Sequence, residues 1–228
     1  MSNSPLVDYT KLSPHNSGER THAIDRITPH HIVGLMSVEA LGAEFNGTRD
    51  ASSNYGIGAD GRVGLYVEES NRSHCSSSAE NDQRAVTIEC ADEPSWPYEV
   101  PDVVWQKLIK LCVDICRRNG KRKLLWISNR EKALAYEPKE DEMVLTMHKW
   151  FAYTLCPGKT LEDRMPELAK QVTAQLYDNT PSAWAKEAVE WAISVGLLVG
   201  DNHGDLMLHS PITREQMCVM LKRFHDIM

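Results

Sequence analysis

A histidine and a cysteine stand eight positions apart in "TMHKWFAYTLCPGKTLEDR", at His148 and Cys156, and a Pro-Gly turn follows the cysteine. Imidazole nitrogen and thiolate sulfur are donors that zinc takes readily, and a catalytic zinc site uses three protein ligands and keeps a fourth position open. The loop between the two residues is long enough to fold both donors back on one ion. A third donor must come from elsewhere in the chain, and "TPHHIVG" offers His30 and His31 at the end of a stretch that reads as a strand. Successive side chains of a strand point to opposite faces, so only one of that pair can face the ion. Spacing alone leaves both open, and it equally leaves His148 and Cys156 open as folding features. The six other histidines, His15, His22, His74, His203, His209 and His225, read as ordinary surface or core residues.

The elements that would position these groups follow an α/β order. "DRITPHHIVG" reads as a strand after a polar, irregular arm, and "SVEALGAEFN" as a short helix with Ser37 as its N-cap and Glu39 in its first turn. Apolar residues on both sides of Asp60-Gly61 signal a hairpin, and "RAVTIECAD" reads as a buried strand. A helix runs from about Asp102 to Arg118 and stops at Gly120, a natural C′ residue. Cys112 and Cys116 share one side of it with Leu108, Leu111 and Ile115, so they read as core residues. "KLLWIS" reads as a further strand, "EKALAYEPKEDE" as a charged connection, and "TLEDRMPELAKQVTAQL" as a helix. Strands alternating with helices imply a sheet flanked by helices.

Composition narrows the function classes. With 228 residues, 42% of them apolar and 25% charged, the chain has the make-up of a globular protein with a real core. A net charge of −7 disfavours a nucleic-acid partner, whose phosphates require clustered Lys and Arg. The most basic run, Arg117 to Lys123, reads as a solvated helix end. No apolar run reaches the roughly 18 residues of a membrane span, so no membrane partner is expected. The N-terminus lacks the basic and apolar regions of a secretory signal, which gives a cytoplasmic expectation, and the six cysteines do not form a disulfide framework.

Four ordered segments, "ITPHHIVG", "SSNYGIGADGRVGLYVEE", "ENDQRAVTIECAD" and "HKWFAYTLCPG", resemble the zinc-dependent N-acetylmuramoyl-L-alanine amidases. This type-2 family includes phage endolysins and animal peptidoglycan recognition proteins, and the likeness, which spans roughly residues 7 to 175, is greatest to endolysins of clostridia and related Gram-positive bacteria. It implies a central mixed β-sheet flanked by helices, a Zn²⁺ cofactor and hydrolysis of the amide between N-acetylmuramic acid and L-alanine in peptidoglycan. By motif, His30, His148 and Cys156 take the positions of the metal ligands and His31 becomes a neighbour. Tyr55 falls where the family holds a phenol beside the reacting water, and Thr154 where it carries Lys or Thr two residues before the cysteine; a packed strand tyrosine and a turn hydroxyl are the alternatives for the two. Glu89 reads either as a base or water-orienting group or as a structural partner to a Lys or Arg. Some relatives keep the fold, lose the cysteine and only bind peptidoglycan; the presence of Cys156 favours the enzyme. A host autolysin would share the chemistry. The expected setting is a phage or prophage endolysin held in the host cytoplasm until release to the wall.

At "YDNTPSA" the composition changes, which divides the chain into a catalytic domain, 1–176, and a small all-α module, 177–228. "AWAKEAVEWAISVGLLVG" followed by "SPITREQMCVMLKRF" resembles an S-layer homology domain. Family members bind anionic secondary cell-wall polymers, and the resemblance implies that Arg214 pairs with a carboxylate and Trp184 offers a stacking face. Such modules usually come in threes and this chain carries one, so assembly with other copies through this module stays open, as does a plain helix pair that packs on the first domain.

Overall fold

In a computed structural model, residues 2–176, 179–201 and 205–227 are described, and the chain divides into two compact units, Met1–Leu176 and Tyr177–Met228. Tyr177 and Asp178 of the expected hinge, and His203, lie outside the described residues.

The first unit is built on nine strands, β1 (Tyr9–Thr10), β2 (Asn16–Glu19), β3 (Arg26–His31), β4 (Tyr55–Ile57), β5 (Val63–Leu65), β6 (Asn71–Ser73), β7 (Ala85–Cys90), β8 (Lys123–Leu125) and β9 (Glu142–Leu145). Its helices are α1 (Val38–Glu44), α2 (Ala79–Arg84), α3 (Asp102–Arg118), α4 (Arg130–Ala135) and α5 (Lys159–Leu176). Seven strands form one mixed sheet in the order β1-β5-β4-β7-β3-β9-β8, and β2 pairs with β6 in a small separate ribbon. β3, β7 and β9 run parallel, so their carboxyl ends reach the same edge, the place where open α/β sheets receive ligands.

Alternation sorts the two faces of this sheet. Register pairs Pro29 with Ile88, His30 with Glu89, and Tyr55 with Ile88. Ile27, Tyr55, Ile57, Val86, Ile88, Cys90 and Leu145 therefore share one face, where they join a single apolar core with Val104, Leu108, Leu111, Cys112 and Ile115 of α3 and Leu161, Met165 and Leu168 of α5. The opposite face carries Thr28, His30, Thr87 and Glu89. There the hydroxyls of Thr28 and Thr146 lie 2.7 Å apart, Thr146 donates to Asn81 Oδ1 at 3.1 Å, and Asn81 Nδ2 donates to Thr28 Oγ1 at 3.0 Å. Buried polar groups are tolerable only when partnered, and this network satisfies them while tying α2 to the ends of β3 and β9.

Most expected elements form. Ser37 Oγ accepts from Ala40 N–H at the start of α1, the Asp60-Gly61 hairpin joins β4 to β5, and Gly120 has φ +67° after α3. The basic run is absorbed into the fold: Arg118 pairs with Glu69 and Asp114, and Lys121 donates to Glu140 O. Five readings are corrected, one of them β6, which pairs with β2 in a stretch that the sequence left without an element. The arm before β3 holds β1 and β2; "EKALAYEPKEDE" holds α4, capped by Asn129 Oδ1 accepting from Lys132 N–H at 2.9 Å; and α2 and β9 form where no element was expected. Each is six residues or shorter, too short for periodicity to declare.

Among its described residues the second unit contains a single 3₁₀ turn, α6 (Lys186–Ser194) and α7 (Arg214–Ile227), and neither helix has a fully buried residue. Among the described residues no helix is long and apolar enough to cross a membrane.

Helix α1 lies close on the sheet because glycines leave room for one ring. A Cβ on Gly64 would stand 2.1 Å from Tyr66 Oη, whose hydroxyl donates to Val38 O of α1 at 2.8 Å. Gly64→Ala is expected to cost about 1–3 kcal/mol, the range for overpacking, read as a lower urea midpoint; an unchanged midpoint would show that the ring yields freely.

Candidate metal centre

His30 and His31 close β3, and both imidazoles are buried, at 1% and 8% exposure. His148 opens a single 3₁₀ turn just beyond β9, and Lys149 N–H donates to Cys156 O at 3.1 Å, which closes the loop and returns the cysteine to the histidine that begins it. Cys156 Sγ lies 3.2 Å from His30 Nδ1, and the His30 and His148 rings stand 5.1 Å apart. One donor atom from each of His30, His148 and Cys156 falls within 4.8 Å of the others, so the three form a candidate metal site. Two imidazoles and a thiol are a donor set that zinc accepts, and three ligands leave one position open.

Electrostatics prepares these donors. Burial, then the neighbouring His148 and His31, pushes His30 well below the usual imidazole range, and burial lowers His148 as well. Both rings are thus neutral near pH 7 and can offer a lone pair. Burial, reinforced by Glu89, holds the Cys156 thiol well above its usual range, although the His31 N–H to its sulfur acts the other way. A metal arriving there must displace the thiol proton, so acid opposes loading.

Glu89 lies beside His30. Its Oε1 accepts from Cys75 Sγ at 3.7 Å, while its Oε2, like His30 Nε2, is buried and finds no hydrogen-bond partner. The Arg49 charge acts on this carboxyl, although no ion pair joins the two among the described residues. Burial pushes its carboxyl up to about 8. Cys75 and Glu89 also group with His30 within 4.8 Å.

His31 faces away from the ligands and braces their loop. Its Nδ1 lies 2.8 Å from Asp92 Oδ2, Asp92 Oδ1 accepts from the N–H groups of Val33 and Gly34, and Tyr98 packs edge-on at 4.8 Å. Gly158 has φ +84°, and a Cβ there would meet His31 Nδ1 at 2.8 Å. The turn after Cys156 therefore rests directly on the second histidine.

The other expected residues fare differently. Tyr55 is corrected: it points to the opposite sheet face from His30, is fully buried, donates to Glu69 Oε1 at 2.6 Å and accepts from Ser4 N–H at 2.8 Å. Burial and then the Glu69 charge raise its phenol. Thr154 lies in the ligand loop, where its Oγ1 accepts from Cys156 N–H at 3.2 Å. Trp184, 90% exposed, and Arg214, at the start of α7, belong to the second unit. Cys75 and Asp92 were given no role in the sequence, and Gly158 was noted only as part of the turn after Cys156. Asp92, an acid two residues beyond the buried strand β7, was the one with a readable signal.

The profile of a family described as N-acetylmuramoyl-L-alanine amidase matches residues 20–159. No curated protein sequence matches the chain. Among solved structures, the endolysin amidase LysCS from Clostridium intestinale is 16% identical with TM-score 0.49, over 74% of this chain and 98% of its own. A selenomethionine AmpD derivative is 18% identical with TM-score 0.49, over 72% and 95%. Drosophila peptidoglycan recognition protein SA is 17% identical with TM-score 0.48, over 69% and 90%. Likenesses at these values carry no argument about chemistry.

Tyr55→Phe is expected to lower stability by about 1–2 kcal/mol, because Ser4 N–H and Glu69 each lose a partner, and to leave metal content unchanged. Denaturation alongside metal analysis checks this; loss of metal in a stably folded variant would return the phenol to the site.

Proposed function

Because the chain belongs to the N-acetylmuramoyl-L-alanine amidase family, we propose that it is a zinc-dependent hydrolase of the amide between N-acetylmuramic acid and L-alanine in bacterial peptidoglycan, in the setting of a phage or prophage lysin. The observation that carries this reading is the convergence of His30, His148 and Cys156 within 4.8 Å, at the sheet edge where three parallel strands end. Those three residues would hold the ion. Zinc supplies Lewis-acid polarisation of the scissile carbonyl and lowers the pKa of a coordinated water to about 7.

The chain's own groups do the rest. Glu89 Oε2, buried without a partner, takes the proton of the attacking water and hands it to the leaving nitrogen of L-alanine. A carboxyl raised to about 8 by burial is protonated for much of the time in the metal-free protein, and a nearby cation would draw it back toward the carboxylate needed for the first transfer. Thr154 spends a lone pair on Cys156 N–H and keeps its hydroxyl proton for the developing oxyanion, an effect of about 3 kcal/mol per donor in comparable sites. His31, Asp92 and Gly158 keep the Cys156 loop in place.

For the second unit we infer attachment to the wall, with Arg214 on an anionic polymer and Trp184 as a stacking face. The exposure of Trp184 supports this reading.

Three outcomes are expected. Digested walls should show new L-alanine N-termini and no new reducing ends; reducing ends would overturn the assignment. Cys156→Ala should lose zinc and activity together, whereas Glu89→Gln should keep zinc and lose at least about 10²-fold in kcat; full activity in a zinc-free Cys156→Ala protein would sink the metal reading. Arg214→Ala should sediment less with isolated walls yet cleave soluble muropeptides at an unchanged rate, and equal sedimentation would end the anchoring idea.

A further inference from the structure

Histidines read as ordinary in the sequence form a second constellation. His74 Nε2 lies 2.8 Å from Ser17 Oγ, and His74 Nδ1 lies 2.7 Å from Asp50 Oδ1. An ionised carboxylate only accepts, so Nδ1 carries a hydrogen toward Asp50, and in the neutral ring Nε2 is then left as the acceptor for the serine O–H. The order hydroxyl, Nε2, Nδ1, carboxylate is that of a nucleophile, its base and the group that orients the base.

The fold presents Ser17 for this role. β2 and β6 pair Asn16 with Ser73 and Glu19 with Asn71, so two residues of β2, Ser17 and Gly18, stand against the single residue Arg72. The bulge is completed by Gly18 at φ +70°, and Ser17 is exposed. Bulges re-aim side chains and concentrate near functional sites. The Arg72 guanidinium donates to Ser17 Oγ, which places a permanent positive charge where an attacking oxygen becomes negative. Asp50 is held below the usual carboxylate range, first by the hydrogen bond from His74, and it also lies 3.4 Å from His15 Nδ1. None of these four residues belongs to the metal cluster or to its supports.

We propose that Ser17, His74 and Asp50 form a second, metal-independent hydrolytic site for short acyl esters of exposed alcohols, such as O-acyl groups on sugar hydroxyls. Ser17 Oγ bonds to the acyl carbon as its proton passes to His74 Nε2; the ester C–O bond breaks and that proton leaves with the alcohol. Water, giving a proton to the same nitrogen, then cleaves the acyl-serine and releases the acid, and the proton returns to Ser17. Short acyl groups fit because the surroundings are polar and open: Ser17 and Asp50 are exposed, and Asn16, Arg72 and His74 are partly so. The solvated carboxylate makes this a slower relay than a buried triad.

The test uses full-length protein with a chelator present, p-nitrophenyl acetate as substrate and a fluorophosphonate as the active-serine probe. Expected are a single adduct on Ser17 by peptide mass spectrometry, and ester hydrolysis reduced at least tenfold in both Ser17→Ala and His74→Ala. The thermal midpoint of Ser17→Ala should match the wild type, as should its wall amidase activity assayed without chelator, which shows that the fold is intact. Hydrolysis in Ser17→Ala at the wild-type rate would mean that a surface imidazole alone does the work and would overturn the proposal, as would labelling that is absent from Ser17 or unaffected by His74→Ala.

Discussion

Two histidines in succession at the end of a strand cannot point the same way, and the first unit is organised around that restriction. His30 turns to the polar face and meets His148 and Cys156; His31 turns to the apolar face and meets Asp92, Tyr98 and Gly158. The ligand loop is thereby gripped from both sides of one strand, by its sulfur near one imidazole and by its turn against the other. A one-residue slip of β3 would exchange these roles and place a buried, carboxylate-bonded ring at the cluster. Six consecutive backbone pairings with β7 guard against that slip.

The second requirement is a polar sheet face that stays dry. Thr28, Thr87, Asn54, Asn81 and Thr146 are fully buried, and each has hydrogen-bond partners among the others or in the adjoining loops. On the same face His30 Nε2 and Glu89 Oε2 have none. Unsatisfied buried atoms are costly and uncommon, and these two belong to residues whose donor atoms group within 4.8 Å. Glu69, also buried, shows the contrary solution, with Arg118 and the Tyr55 hydroxyl both spent on holding its charge.

Much of this was legible in the sequence. The eight-residue spacing of His148 and Cys156 announced a returning loop, alternation required His30 and His31 to part, and capping residues placed α1 and α3. Tyr55 was misjudged because the face of a strand residue depends on its register with a neighbour, and the pairing of Tyr55 with Ile88 rather than Glu89 is a long-range fact. Glu89 stayed ambiguous for the same reason: whether a cation sits opposite a strand glutamate is decided by chain segments far away. α2, α4 and β9 escaped notice because a single turn or four residues give periodicity too little to repeat.

His30 and Cys156, now 3.2 Å apart, are separated by 126 positions in the chain. On a ribosome adding about 5–20 residues per second, the sulfur donor emerges roughly 6–25 s after the first imidazole. Until residues 142–156 have emerged, β3 has neither its β9 neighbour nor the loop that shuts against it, and His30 has neither His148 nor Cys156 beside it. The donor set comes into being late and all at once, when the last third of the first unit docks. A nascent or truncated chain that stops short of residue 156 therefore lacks the sulfur that completes the set of His30, His148 and Cys156.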